Sequence, residues 1–189
     1  PAAAATELVH NFCQIHDDVQ GGIPQRDDRD AVWWVWGPAQ AINVGDGLHA
    51  LARLAVFRMR DRGAGPERTL AAVGALDTLA LRYYEGEYLE LTYQERVDVT
   101  EAQYVRMAEA KAGALLGGAA AMGARASGAD DARAEAFRAF GERLGCAAQV
   151  RDDAATLWGA DAGRAGRVLN KSKLYPVVHA LEHGSLAQK

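Results

Sequence analysis

Apolar positions along this chain recur three and four residues apart in long runs, and few stretches alternate as a strand would. The pattern predicts helices over 2–20, 38–62, 66–91, 100–125, 129–157 and 173–183. Thr100 followed by Gln103 reads as a capping box opening the fourth of these. Gly21-Gly22 and Gly159 read as helix stops, followed by polar loops over 21–31 and 159–172. The small residues of 114–121 predict close helix packing. The fold expected is all-α.

Bulk properties narrow the class. A chain of 189 residues, 49% hydrophobic and 24% charged, suits one soluble domain over 1–189 with a substantial core. The net charge of -4 argues against nucleic acid as a partner, which would normally require a basic stripe. Cys13 and Cys146 lie in apolar helical patterns without metal-ligand spacing and read as core thiols of a reducing compartment. No apolar run approaches the roughly 18 residues of a membrane span. Pro1–Ala5 lacks the features of a signal peptide, so a cytoplasmic location is expected. The helical pattern of Thr6–Ile15 opens mid-stream, and the last helix begins just before the chain stops. Both ends therefore read as those of a fragment.

The chemistry-bearing feature is a pair of similar segments. Gln14-Ile15-His16-Asp17-Asp18 and Gln149-Val150-Arg151-Asp152-Asp153 share the frame Gln-x-x-Asp-Asp. On a helix, His10, Gln14, Asp17 and Asp18 form a polar stripe opposite Leu8, Val9, Phe12, Ile15 and Val19, and the second segment repeats the arrangement. Adjacent carboxylates repel one another, and hard cations offset that repulsion. Mg²⁺ typically takes one or two carboxylates together with substrate phosphates. Two such helices facing across a cavity would bracket a diphosphate with metal and neutralise the charge of a leaving group. The plainer alternative is that both pairs are solvated faces of surface helices.

These residues resemble the trans-isoprenyl diphosphate synthases, the polyprenyl synthetase family. Glu7–Phe12 running into Ile15–Asp18 is similar to the family's first aspartate-rich region, and Gly141, Leu144-Gly145 and Gln149 into Asp152-Asp153 to its second. Trp36-Gly37, Gln40–Asn43, Gly45-Asp46, Glu85-Gly86, Leu89 and the segment Lys171–Pro176 continue the match in order. The resemblance implies an isoprenoid synthase helical bundle around a central cavity, a homodimer, and an allylic isoprenoid diphosphate substrate bound with Mg²⁺. It implies Asp17, Asp18, Asp152 and Asp153 as metal ligands. It implies Arg26, Lys111, Gln149 and Lys171 or Lys173 as diphosphate-binding residues, with Lys111 also in the catalytic set. Family members are usually longer at both ends.

Departures from the family pattern bear on the reaction. The third aspartate of each motif is replaced, by Gly21 and Thr156. The second arginine after the first motif, which in the family grips isopentenyl diphosphate, is Asp27. The Lys-Thr pair is Lys111-Ala112, and the glutamine of the Glu-Gly-Gln segment is Glu87. The ionising half of the site is largely kept, whereas the acceptor half is altered. The expectation is a terpene synthase-like enzyme that ionises an allylic diphosphate without isopentenyl diphosphate. The alternatives are a chain-elongating synthase and a catalytically weak partner subunit. Phe12 and Cys13 ahead of Asp17 suggest a cavity for ten- to twenty-carbon substrates. Core packing is expected for Trp33, Trp34 and Trp36 ahead of a cavity lining that would stabilise a carbocation.

Overall fold

A computed structural model describes residues 1–26, 28–159 and 171–185. The described residues are all-α apart from a two-stranded antiparallel ribbon, β1 (Gln25–Arg26) against β2 (Arg29–Asp30), which pairs Gln25 with Asp30 and Arg26 with Arg29. The helices are α1 (Ala2–Gln20), α2 (Val32–Trp36), α3 (Pro38–Phe57), α4 (Pro66–Gln94), α5 (Glu101–Ala108), α6 (Ala114–Ser127), α7 (Asp131–Trp158) and α8 (Tyr175–His183). Among the described residues no helix is long and apolar enough to cross a membrane.

Most predicted helices lie within a few residues of these bounds, and the differences have local causes. α3 stops at Phe57 because the chain tightens into a 3₁₀ turn over Arg60–Arg62, closed by Gly63 in the left-handed conformation at φ 82°. Buried Met59 anchors that turn. The loop after α1 carries the ribbon and the short helix α2, neither of which the periodicity suggests. The helix expected over 100–125 is interrupted by a π-helical turn, Glu109–Gly113, between α5 and α6. Its start is as read: Thr100 Oγ1 accepts from the Gln103 N–H, and Gln103 Oε1 accepts from the Thr100 N–H.

Two apolar clusters hold the bundle. In the first, Val9, Phe12 and Cys13 of α1 meet Ala52 and Val56 of α3, Leu76, Leu79 and Tyr83 of α4, and Met122 of α6. In the second, Tyr93, Tyr104, Met107 and Val178 bring together the end of α4, α5 and α8, with Cys146 and Val150 of α7 packed alongside. Burial of these side chains supplies the main driving force for folding.

Glycines set how closely the helices approach. A Cβ on Gly141 of α7 would lie 2.6 Å from the Leu116 carbonyl oxygen and 2.7 Å from Gly117 Cα of α6. One on Gly145 would overlap the Ala112 carbonyl of the π turn, and one on Gly86 of α4 would lie 2.6 Å from the Lys111 nitrogen. The π turn is thus clamped between α4 and α7 at backbone contact, and this fixes where Lys111 stands.

The tryptophan expectation needs correction. Trp34 and Trp36 are 60% and 71% exposed, because the short α2 presents them outward. Trp33 is tied down, its Nε1–H donating to the Ile23 carbonyl at 2.6 Å.

Candidate active site

Lys111 occupies the centre of a carboxylate cage. Its ammonium is largely buried and pairs with Asp17 of α1 at 3.2 Å, with Glu90 of α4 at 2.5 Å, and with Glu87 of α4. Tyr83 OH, one turn before Glu87, donates to Asp17 Oδ1 at 2.7 Å. Burial works against the charged ammonium, but Glu90, Asp17 and Glu87 outweigh it and hold Lys111 above the usual lysine value. Glu87 is pushed up to about 8, first by burial and then by Asp17 and Glu90, against the opposing pull of Lys111. With Glu87 largely protonated at neutral pH, one cation faces the two charged carboxylates of Asp17 and Glu90, and the remaining negative charge suits a further cation.

The two members of the first aspartate pair are treated differently. Asp17 is half-buried, and its Oδ1 takes both the tyrosine and the lysine. Its Oδ2 accepts no hydrogen bond among the described residues. Asp18 is 5% exposed, and its Oδ1 accepts from Arg26 Nε at 3.0 Å and Nη2 at 2.6 Å. Burial raises the Asp18 carboxyl above its ordinary value, and the Arg26 contact offsets part of that rise. The ribbon carries Arg26 back over the end of α1. The helix ends there because Gly21 is its cap, with its N–H on the Asp17 carbonyl at 2.7 Å.

The second pair repeats this division. Asp153 is 0% exposed, and both of its oxygens are engaged. Oδ2 accepts from Tyr104 OH at 2.5 Å and from the Tyr175 N–H at 3.0 Å, while Oδ1 accepts from Gln149 Nε2 at 2.9 Å. Asp152 is half-exposed, and its Oδ1 accepts from its neighbour Arg151 at 2.8 and 3.0 Å. Thr156, which stands where the family has a third aspartate, turns its hydroxyl back to the Asp152 carbonyl at 2.8 Å.

The structure thus brings Asp17, Asp18, Arg26 and Lys111 into one constellation and Gln149 with Asp153 into another. The π turn that carries Lys111 packs on α7 and connects the two. Of the late lysines, Lys173 Nζ donates to the Gln94 carbonyl at 3.2 Å and Lys171 stands 3.9 Å from Glu95, both at the end of α4. Burial lowers the Lys173 value. Asp27 and most of the 159–172 loop lie outside the described residues. A cleft of about 440 Å³ opens between α4, α6 and α7 at Thr78, Arg82, Gly118 and Arg138, and it includes neither aspartate pair.

The sequence alone singles out Glu87 only as a departure from the family pattern, and it does not single out Tyr83, Glu90 or Tyr104. Tyr83, Glu87 and Glu90 form a buried stripe at i, i+4 and i+7 on α4. That spacing was a visible signal, masked because long charged helices usually show such stripes to solvent. Tyr104 carried no such signal, since a lone tyrosine on an apolar face reads as core.

The family model described as polyprenyl synthetase matches residues 1–189. A geranylgeranyl diphosphate synthase of Mycobacterium tuberculosis is 38% identical over 192 residues, covering 99% of this chain and 53% of that protein. A geranylgeranyl diphosphate synthase of Methanosarcina mazei is 37% identical, over 81% of this chain and 46% of that one. The crystal structure of a polyprenyl synthetase from Streptomyces coelicolor superposes with a TM-score of 0.88 at 37% identity, covering all of this chain and 55% of the other. The chain spans about half the length of the curated relatives it matches. It belongs to the polyprenyl synthetase family.

Proposed function

We propose that this chain is the catalytic core of a trans-isoprenyl diphosphate synthase that extends an allylic diphosphate with isopentenyl diphosphate. The observation carrying this reading is that relatives covering nearly the whole chain at 31–38% identity are named geranylgeranyl and farnesyl diphosphate synthases. They favour elongation over the terpene synthase-like reaction expected from the altered acceptor side, and over a weak partner subunit.

The donor set fits divalent metal. Each pair offers one outward carboxylate, Asp17 and Asp152, and the cage sets the charged carboxylates of Asp17 and Glu90 against the single cation Lys111. A polyprenyl synthase of Caulobacter crescentus, 28% identical, was solved with calcium and isoprenyl diphosphate. For this chain we assign Mg²⁺ to Asp17 and Asp152, with Asp18 and Asp153 as positioning residues held by Arg26, Tyr104 and Gln149. The bound metal would neutralise the departing diphosphate. Lys111 would turn from its carboxylates toward the phosphate oxygens, as a compact point charge on a flexible stem can. In the reaction the allylic C–O bond breaks with its electron pair leaving on diphosphate. The acceptor alkene then forms the new C–C bond, and a proton is lost.

A homodimer is part of the proposal. Leu51 and Leu54 of α3 and Leu81, Tyr88 and Leu91 of α4 are exposed at helical spacing, an apolar surface of the kind that marks interfaces.

Diphosphate release tests the assignment. Turnover should require both the divalent cation and isopentenyl diphosphate. Asp17→Asn and Asp152→Asn should each lower it by orders of magnitude with the helical signal unchanged. Undiminished release by both variants would remove the aspartates from the reaction.

A further inference from the structure

Away from the aspartate pairs, Glu101, His179 and His183 bring one potential ligand atom each to within 4.8 Å of the others. We infer that these three residues form a second metal site, for a borderline divalent transition cation of the zinc class.

The site is assembled from two elements. His179 and His183 sit one turn apart on the same face of α8, their rings 4.8 Å apart. Glu101 opens α5 and meets them with both oxygens: His179 Nδ1 contacts Oε1, and His183 Nε2 stands 3.5 Å from Oε2. Its position is fixed from behind, because the Glu101 N–H donates to Glu182 at 2.6 Å and Tyr175 OH donates to Oε1 at 3.3 Å. Such supporting bonds are typical of metal ligands.

Donor chemistry selects the ion. Two imidazoles and a carboxylate suit zinc, copper or nickel, whereas magnesium prefers oxygen alone. Three protein ligands with a position left for water is the common open zinc arrangement, with donors about 2.0–2.2 Å from the ion. The present donors would draw in by roughly 1.5 Å to reach that geometry. The histidine side chains are 58% and 55% exposed and free to rotate that far. A simple hydrogen-bonded tether between α5 and α8 would need only His179. The second imidazole stands 3.5 Å from the other carboxylate oxygen, at the long limit of a hydrogen bond, and brings a second nitrogen ligand to the cluster.

Occupancy would matter to the other site. α5 supplies Tyr104 and α8 begins at Tyr175, the two donors to Asp153 Oδ2. A cation joining Glu101 to α8 would fasten the helices that hold that aspartate.

The test is calorimetric titration of the full chain, free of tag histidines, with zinc in saturating magnesium. Thermal unfolding is followed in parallel. One zinc per chain should bind and raise the melting temperature. His179→Ala and His183→Gln should each weaken binding by about tenfold to a hundredfold and abolish the thermal shift, whereas Asp152→Asn should leave zinc binding unchanged. Absence of saturable binding, equal binding by the histidine variants, or binding lost in Asp152→Asn would each overturn the inference.

Discussion

Replacing Glu87 with glutamine should make the protein more stable at neutral pH and remove part of its pH dependence. Glu87 is buried beside Asp17 and Glu90, and its value rises from 4.5 to about 8. The folded state therefore keeps a proton that the unfolded chain releases above pH 4.5. Stability from this group is fully present below about 4.5, falls as pH rises, and levels off above about 8. Between those limits the slope is about −1.4 kcal/mol per pH unit for one proton. At pH 7 the accumulated loss is on the order of 3 kcal/mol. Glutamine keeps the shape and can still accept from Lys111, which retains Asp17 and Glu90 as charged partners. Urea unfolding of both proteins, at pH values between about 5 and 8, measures the difference. The native curve should fall more steeply by about one proton, and the variant should be the more stable at the upper end. Parallel pH profiles would refute the argument that burial among carboxylates holds Glu87 protonated.

Two further changes probe the scaffold. Tyr104→Phe removes the 2.5 Å hydrogen bond to a fully buried carboxylate and should cost about 1–3 kcal/mol in urea unfolding. Gly145→Ala drives a methyl into the Ala112 carbonyl on the π turn. It should lower stability by about 1–3 kcal/mol in thermal unfolding, and by moving Lys111 it should also reduce turnover.

The aspartate pairs were legible because adjacent acidic residues on an otherwise amphipathic helix have no structural reason to be there. Repetition of the frame made the signal stronger, and the order of elements across the chain made it specific. The division of labour within each pair was not legible. Asp18 and Asp153 are buried only because Arg26 returns through a two-residue ribbon and Tyr104 approaches from α5, both long-range consequences of packing. The π turn was hidden for a related reason. Its sequence, Glu-Ala-Lys-Ala-Gly, has too few large apolar residues to show a change of helical phase. The exposed tryptophans ran against expectation because a five-residue helix has no face long enough to bury them. Family resemblance pointed correctly to the scaffold. The departures at Gly21, Thr156, Asp27 and Glu87 suggested loss of the acceptor reaction, and the proposal of elongation rests instead on the similarity of the whole chain to proteins named geranylgeranyl and farnesyl diphosphate synthases.

The most direct test of that conclusion is the mass of the product. The full chain, supplied with farnesyl diphosphate, isopentenyl diphosphate and Mg²⁺, should yield a prenyl diphosphate longer by whole isoprene units and no product when isopentenyl diphosphate is withheld. Hydrocarbon or alcohol formed equally well without isopentenyl diphosphate, with no lengthened diphosphate in its presence, would contradict the account.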